Sequence, residues 1–289
     1  MLKRELAPTT SPGAAVVALT ALLESRTGQR LAANRAWRIE TALKPVLRKL
    51  DLASLDDLVC AHRALPNGEV SDMIVDALLN QETSFFRDAA VLDMVADAAS
   101  VLARADPGRR VKVWSAACAH GQEPLSLAML FAERARQDGI SEPEILATDV
   151  SELAISRGRS GRYSQFEIQR GLPVRRMIEW FEADGDEWIA RQELLRRVVF
   201  RRHNLVGDRP PVGRFDIVLC RNVLIYLSPS QRRRVFDMLA SVIRPGGLLV
   251  LGAGETVIGQ TEAFGPSARY RGLYEPVARA VVPPPCDVA

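Results

Sequence analysis

Along residues 14–79 the apolar positions recur every three or four residues, the spacing of one buried helical face. In "NRAWRIETALKPVLRKL" (34–50), Ala36, Ile39, Leu43, Val46, Leu47 and Leu50 fall on one side of the helical wheel. Arg35, Arg38, Lys44, Arg48 and Lys49 fall elsewhere on it. Pro45 lacks the N–H that the helical ladder needs, so a kink or a split is expected there. "LASLDDLVCAHRAL" and "EVSDMIVDALL" continue the helical period, with Ser54 and Ser71 as candidate N-caps. Residues 14–79 thus read as helices only, and an N-terminal helical domain over residues 1–84 followed by a linker helix over 85–108 is expected.

After the turn-rich "RADPGRR" (104–110) the period changes. "VKVWSAA" (111–117), "EILATD" (144–149), "FDIVLC" (215–220) and "LLVLGAGE" (248–255) read as short buried strands. Between them "EPLSLAMLFAERARQ" (123–137), with Pro124 in its first turn, "SELAISRGR" (151–159) and "QRRRVFDMLASVI" (231–243) read as helices. Strands alternating with helices predict an α/β fold with a mostly parallel sheet covered on both faces. Residues 186–203 fit either a small antiparallel excursion or a further sheet strand at "RRVVF". "ARYRGLYEPV" (268–277) is expected to close the 109–277 domain as an aromatic edge strand, and 278–289 to be a disordered tail.

Ligands of such a sheet bind outside the carboxyl ends of its strands, so the residues there carry the functional argument. The first strand runs into "SAACAHGQEP", where a dinucleotide site would need G-x-G-x-x-G and only Gly121 is present. The loop therefore argues against NAD and against a P-loop nucleotide site. Ala116, Ala117 and Gly121 still leave room for a less charged ligand. Glu123 can accept from a ligand amine, Asp149 stands where an acid commonly holds ribose hydroxyls, and Asn204 can read an adenine edge. A ligand with ribose, adenine and an amino acid but no phosphate fits this set, as S-adenosylmethionine does.

Composition bounds the answer without changing it. The 289 residues are 47% hydrophobic and 25% charged, enough for two compact units, and the net charge of +3 is no argument for nucleic acid. Its distribution says more: residues 25–50 hold Arg26, Arg30, Arg35, Arg38, Lys44, Arg48 and Lys49 against Glu40, which suggests an acidic partner surface. Cys60, Cys118, Cys220 and Cys286 form no C-x-x-C pair, and His62, His120 and His203 are scattered, so free thiols, no metal site and a cytosolic chain are expected. "AAVVALTALL" (14–23) follows Lys3-Arg4 but lacks a cleavage site and is far too short to span a bilayer.

"NQETSFFRD" (80–88) interrupts two helical patterns with a polar cluster, two Phe and an Arg, which a plain linker would not need. Together with "VWSAACAHGQEPLSLAM", "ATDVS", "RYSQFEIQRGLP", "HNL", "FDIVLCRNVLIYL" and "PGGLLVLGAGET", in this order, it strongly resembles the CheR-type chemotaxis receptor methyltransferases. These are S-adenosylmethionine-dependent protein-glutamate O-methyltransferases. The resemblance runs from about residue 20 to 276. It implies an N-terminal helical domain, a Rossmann-like methyltransferase domain and a small antiparallel β-subdomain, about 172–202 here. It also implies that Gln81, Thr83 and Arg87 reach the cofactor from the joint, Glu123 meets the methionyl amine, Asp149 the ribose, and Asn204 and Leu205 the adenine. Arg221 and Asn222 would complete the pocket, with Arg87 and Tyr226 facing the methyl and the substrate carboxylate.

Some positions depart from the family pattern. Gln81 stands where Asn is common, Ala119-His120 where small hydroxyl residues are usual, Leu125 where Tyr is common, and "GAGE" (252–255) replaces Gly-His-Ser-Glu. His120 reads either as a pocket-lining variant or as an exposed loop residue, and the second is the expectation. "EADGDEW" (182–188) lacks the insertion with which some relatives grip a receptor's C-terminal pentapeptide, so no such tether is expected. The implied partner is the Glu/Gln-rich cytoplasmic helical region of a receptor, docked through Arg35, Arg38, Arg48 and Lys49. The alternatives are a methyltransferase of another substrate and a catalytically silent cofactor-binding module.

Overall fold

The structure is a computed structural model and describes residues 12–31 and 36–277, with the helix alone given for Pro12 and residues 36–38. The expectations for Arg35, Cys286 and the 278–289 tail, and for the side chain of Arg38, fall outside the described residues.

Four helices come first: α1 (Pro12–Thr27), α2 (Ala36–Lys49), α3 (Leu55–Ala64) and α4 (Glu69–Leu78). Their core is the expected apolar face, with Leu19, Leu23, Ile39, Leu43, Leu58 and Ile74 almost fully buried. At about 1.5–3 kcal/mol for each such side chain, this burial outweighs the roughly 3 kcal/mol cost of a mid-helix proline. Accordingly α2 is not split: it runs through Pro45, with Leu43 and Val46 buried on either side. Ser54 caps α3 in a reciprocal capping box with Asp57. Ser71 is not a cap. It lies inside α4, which starts two residues earlier behind Gly68, and its buried hydroxyl meets His62 Nδ1 at 2.8 Å.

The linker helix α5 (Ala89–Ala105) leads into β1 (Lys112–Ala116), α6 (Gln122–Asp138), β2 (Glu144–Asp149) and α7 (Glu152–Ser160). Next come β3 (Arg162–Ser164), α8 (Gln165–Gln169), α9 (Val174–Trp180), β4 (Phe181–Asp184), β5 (Glu187–Ala190), α10 (Gln192–Leu195) and β6 (Val198–Arg202). The chain ends its described part with β7 (Phe215–Cys220), α11 (Pro229–Val242), β8 (Ile243–Leu251), β9 (Phe264–Pro266) and β10 (Tyr274–Pro276). The main sheet has seven strands in the order β6-β2-β1-β7-β8-β10-β9. The first five are parallel, and β10 and β9 add antiparallel.

Side chains alternate between two cores, as a sheet buried on both faces requires. Val113, Ile217, Leu219, Leu248 and Val250 pack under α5, α6 and the small sheet. Trp114, Ala116, Val218, Cys220 and Leu249 pack under α11. Three sequence expectations shift. "RRVVF" is the edge strand of the main sheet, so the small antiparallel sheet does not reach residue 202. That sheet is β3-β5-β4 and begins earlier, at Arg162. Tyr274–Pro276 is not the edge, because Phe264–Pro266 pairs on its outer side.

Candidate functional site

From β1 the chain winds outward to β2 and β6, then returns to the other side of β1 at β7. Between the carboxyl ends of β1 and β7 lies the switch point where such sheets bind ligands. A cleft opens there. Its sheet side is formed by Ala117, Cys118 and Ala119 after β1, Asp149 at the end of β2, Arg221, Asn222 and Val223 after β7, and Glu123 on α6. The segment joining the helical part to the sheet closes it with Asn80, Gln81, Thr83, Ser84 and Arg87, and Tyr226 and Gln29 complete the rim.

Backbone strain is concentrated at this cleft. Six described non-glycine residues have left-handed backbone. Five of them, Phe86, Asp88, Ala117, Ala119 and Asn222, with φ of 48–60°, belong to the three segments around it. Each such residue costs of order 1–3 kcal/mol, and costs of that kind persist where function needs the geometry.

The two Phe hold the joint. Phe85 is clamped edge-on by Tyr163 at 5.0 Å and Phe181 at 5.5 Å, both from the small sheet. The Phe86 amide donates to Ser126 Oγ on α6, and the Arg176 guanidinium lies 4.5 Å from its ring centroid. Gly171 of "QRGLP" must be glycine: its φ is +101°, and a Cβ would stand 2.1 Å from the Phe85 carbonyl oxygen.

Charged groups in the cleft are mutually oriented. Arg221 is buried and spans it, donating to Glu123 at 2.9 Å, to Asp88, and to the Arg87 carbonyl at 3.2 Å. The second Glu123 oxygen accepts from Ser115 Oγ at 2.8 Å. Asp88 is thus engaged by Arg221, while the Arg87 guanidinium reaches back to the Glu82 carbonyl at 3.3 Å. The Asp149 carboxylate accepts from the Ala119 and Ser151 amides at 2.9 and 3.0 Å, and burial pushes its pKa up. Burial likewise pushes up the thiols of Cys118 and Cys220, which sit as small buried fillers. On the rim, the Tyr226 hydroxyl accepts from Asn80 Nδ2, and Glu255 takes the amides of Asn222 and Leu224 at 2.7 and 2.8 Å.

Of the residues singled out from sequence, Gln81, Thr83, Arg87, Glu123, Asp149, Arg221, Asn222 and Tyr226 line this one cleft. Asn204 and Leu205 lie outside its lining. They follow β6 directly, where the His203 amide donates to the Asp149 carbonyl at 2.8 Å, and the Asn204 amide group donates to the Arg26 carbonyl at 2.8 Å. His120 is not the exposed loop residue expected. It is half-buried and bonds Gln81 at 3.0 Å, so two positions that depart from the family pattern meet each other. Sequence reading gave no role to Asn80, Asp88, Ser115 or Glu255. Asn80 and Asp88 stand inside the quoted joint motif and Glu255 closes "GAGE", which is the signal that was available.

The cleft suits S-adenosylmethionine. It offers carboxylates to an amine and to ribose hydroxyls, and it has no glycine-rich cradle for phosphate. Gln81 Nε2 and Arg221 Nε are buried donors without a partner within the described protein, as expected of groups that await oxygen acceptors.

Sheet and cleft together fit the class of Rossmann-like, S-adenosylmethionine-dependent methyltransferases. Residues 81–271 match the family model for the CheR methyltransferase, SAM binding domain. The chain is 38% identical over 246 residues to a chemotaxis protein methyltransferase of Vibrio parahaemolyticus, covering 84% of this chain and 89% of the relative. It is 34% identical over 247 residues to chemotaxis protein methyltransferase Cher2 of Pseudomonas putida, covering 84% and 90%. Against chemotaxis protein methyltransferase 1 of Vibrio cholerae the identity is 36% over 246 residues, covering 84% and 89%. The chain belongs to the CheR family of chemotaxis methyltransferases.

Proposed function

We propose that the chain transfers the methyl group of S-adenosylmethionine to glutamate side chains of chemotaxis receptors, forming methyl esters. The observation that carries this reading is the meeting of Arg87 and Tyr226, 139 positions apart in sequence (226 − 87), on one cleft with Glu123 and Asp149 in a chain of this family.

The bound cofactor supplies a methyl group activated by its sulfonium. A glutamate side chain, with a pKa near ~4.3, is already ionised at neutral pH, so no residue needs to remove a proton. The protein's task is alignment and exclusion of water, and alignment can lower the barrier by roughly 7–11 kcal/mol. Arg87 reaches the Glu82 carbonyl through one nitrogen, which leaves the rest of its fork to hold one carboxylate oxygen while the other attacks. Tyr226 accepts from Asn80, so its own hydroxyl hydrogen remains for the same carboxylate. Glu123 is fixed by Ser115 and Arg221 and has lone pairs left for the methionyl amine. Asp149 takes the ribose hydroxyls, and Gln81, Thr83, Arg221 and Asn222 complete the pocket; Asn204 and Leu205, outside the cleft's lining but next along the chain from His203, which bonds the Asp149 carbonyl, bound the adenine end.

On the partner side, Arg48 and Lys49 are exposed at the end of α2 and, with Arg35 and Arg38, dock an acidic helical region of the receptor. The β4–β5 connection is only Gly185-Asp186, which supports a mode of docking without a pentapeptide tether. The receptor region concerned is cytoplasmic, and so is the place of action. No helix among the described residues is long and apolar enough to cross a membrane.

Arg87→Ala tests the reading. It should lower kcat by about 10²–10³-fold, while the Kd for S-adenosylhomocysteine changes only a few-fold. Near-normal turnover would remove Arg87 from the chemistry.

A further inference from the structure

His120 lies outside the lining of the cleft, yet it touches a residue that lines it. Its Nε2 meets the Gln81 amide oxygen at 3.0 Å, and the other end of that amide, Nε2, is buried with no acceptor. His120 is itself held in place: its carbonyl accepts from the buried Tyr163 hydroxyl at 2.8 Å, and the neighbouring Ala119 amide donates to Asp149. A buried amide N–H₂ without a partner is costly, and in a ligand cleft the natural partner is a ligand atom. A primary amide has two different ends. Whatever fixes one end decides whether the cleft sees a donor or an acceptor.

We infer that His120 is a positioning residue for cofactor binding: its Nε2–H holds the Gln81 amide oxygen, so that the amide N–H₂ is presented to an oxygen of the bound cofactor. The inference rests on the reading of the cleft as an S-adenosylmethionine site. With the imidazole hydrogen on Nε2, His120 is the donor and the Gln81 N–H₂ is left for the ligand. With the hydrogen on Nδ1, Nε2 would accept, the amide would turn over, and its oxygen would face the ligand. Burial, and the nearby Arg157, lower the His120 pKa, so the neutral ring is favoured and its tautomer sets the amide.

The test is calorimetric titration of the full chain with S-adenosylhomocysteine, which binds without reacting. His120→Ala and Gln81→Ala should each weaken binding on the order of tenfold, and the double variant should lose no more than either alone. His120→Gln, which keeps a side-chain N–H donor, should recover most of the loss. Nitrogen NMR of labelled histidine should show the Nε2–H form at neutral pH. Thermal melting separates a folding defect from a binding defect in each variant. Unchanged affinity in His120→Ala, additive losses in the double variant, or an Nδ1–H ring would overturn the inference and leave the cofactor site standing. A wild-type chain that does not bind S-adenosylhomocysteine would instead overturn the site reading itself.

Discussion

At the scale of single residues, the cleft is built from backbone conformations that its side chains do not favour. Phe86, Asp88, Ala117, Ala119 and Asn222 are left-handed. Close by, Gly171 packs so tightly on the joint that a Cβ there would stand 2.1 Å from the Phe85 carbonyl oxygen. Gly171→Ala should therefore cost roughly 2–4 kcal/mol in urea denaturation and weaken S-adenosylhomocysteine binding, because the joint is pushed off its seat. Gly185→Ala is the control. Its φ is +62° but a Cβ there meets nothing within 4 Å, so it should cost only about 1–2 kcal/mol and leave binding intact. Equal costs at the two positions would refute the clash. Glu123 and Asp149 were legible because carboxylates at those places match an amine and a ribose, whereas Gln81, Thr83, Arg87, Arg221, Asn222 and Tyr226 were named through the resemblance of their motifs. The sequence did not show what holds them. Asn80 and Tyr226 are 146 positions apart, and Glu255 reaches amides 31–33 positions away, so no local pattern joins them.

At the scale of elements, the joint is fastened by the small sheet and by the helix pair α6 and α9. Arg176 on α9 covers Phe86 and forms a two-point ion pair with Glu133 on α6, at 2.8 and 2.7 Å. The hydrogen bonds from Arg176 hold the Glu133 carboxyl below its usual pKa, against the opposing effect of burial. The folded carboxyl thus binds its proton less tightly than the unfolded one. The stabilisation is complete above the ordinary carboxylate range, near ~4.3, and is lost as pH falls through the lowered folded value. Glu133→Gln should accordingly be less stable than wild type in urea at pH 7, with the gap closing by pH 3. A gap independent of pH would mean that the pair contributes nothing through its charge. Most elements were legible because their apolar periods are long. Arg162–Ser164 was missed because three residues carry no period. "RRVVF" was ambiguous because a short apolar run does not say which sheet takes it; pairing with β2 decides that.

At the scale of the whole molecule, one chain reversal explains why residues from distant stretches converge. The chain enters the sheet at β1, leaves on one side and returns on the other, so the loops after β1 and β7 part and leave a crevice. The joint from the helical domain crosses that crevice and delivers Arg87. That a ligand sits at the carboxyl ends of the strands was inferable from alternating strands and helices; that the joint crosses there came from the resemblance. At the antiparallel end, β10 falls within the strand expected over 268–277, but β9 was not foreseen, because three residues carry no period. The docking proposed for the exposed cations at the end of α2 should weaken as salt rises. The most direct measurement incubates the chain with methyl-labelled S-adenosylmethionine and cytoplasmic receptor fragments, then releases label with alkali. The account predicts volatile, base-labile methanol that requires receptor glutamates and falls with added salt. Label that resists base, or appears on RNA or a small molecule and not on receptor, would contradict it.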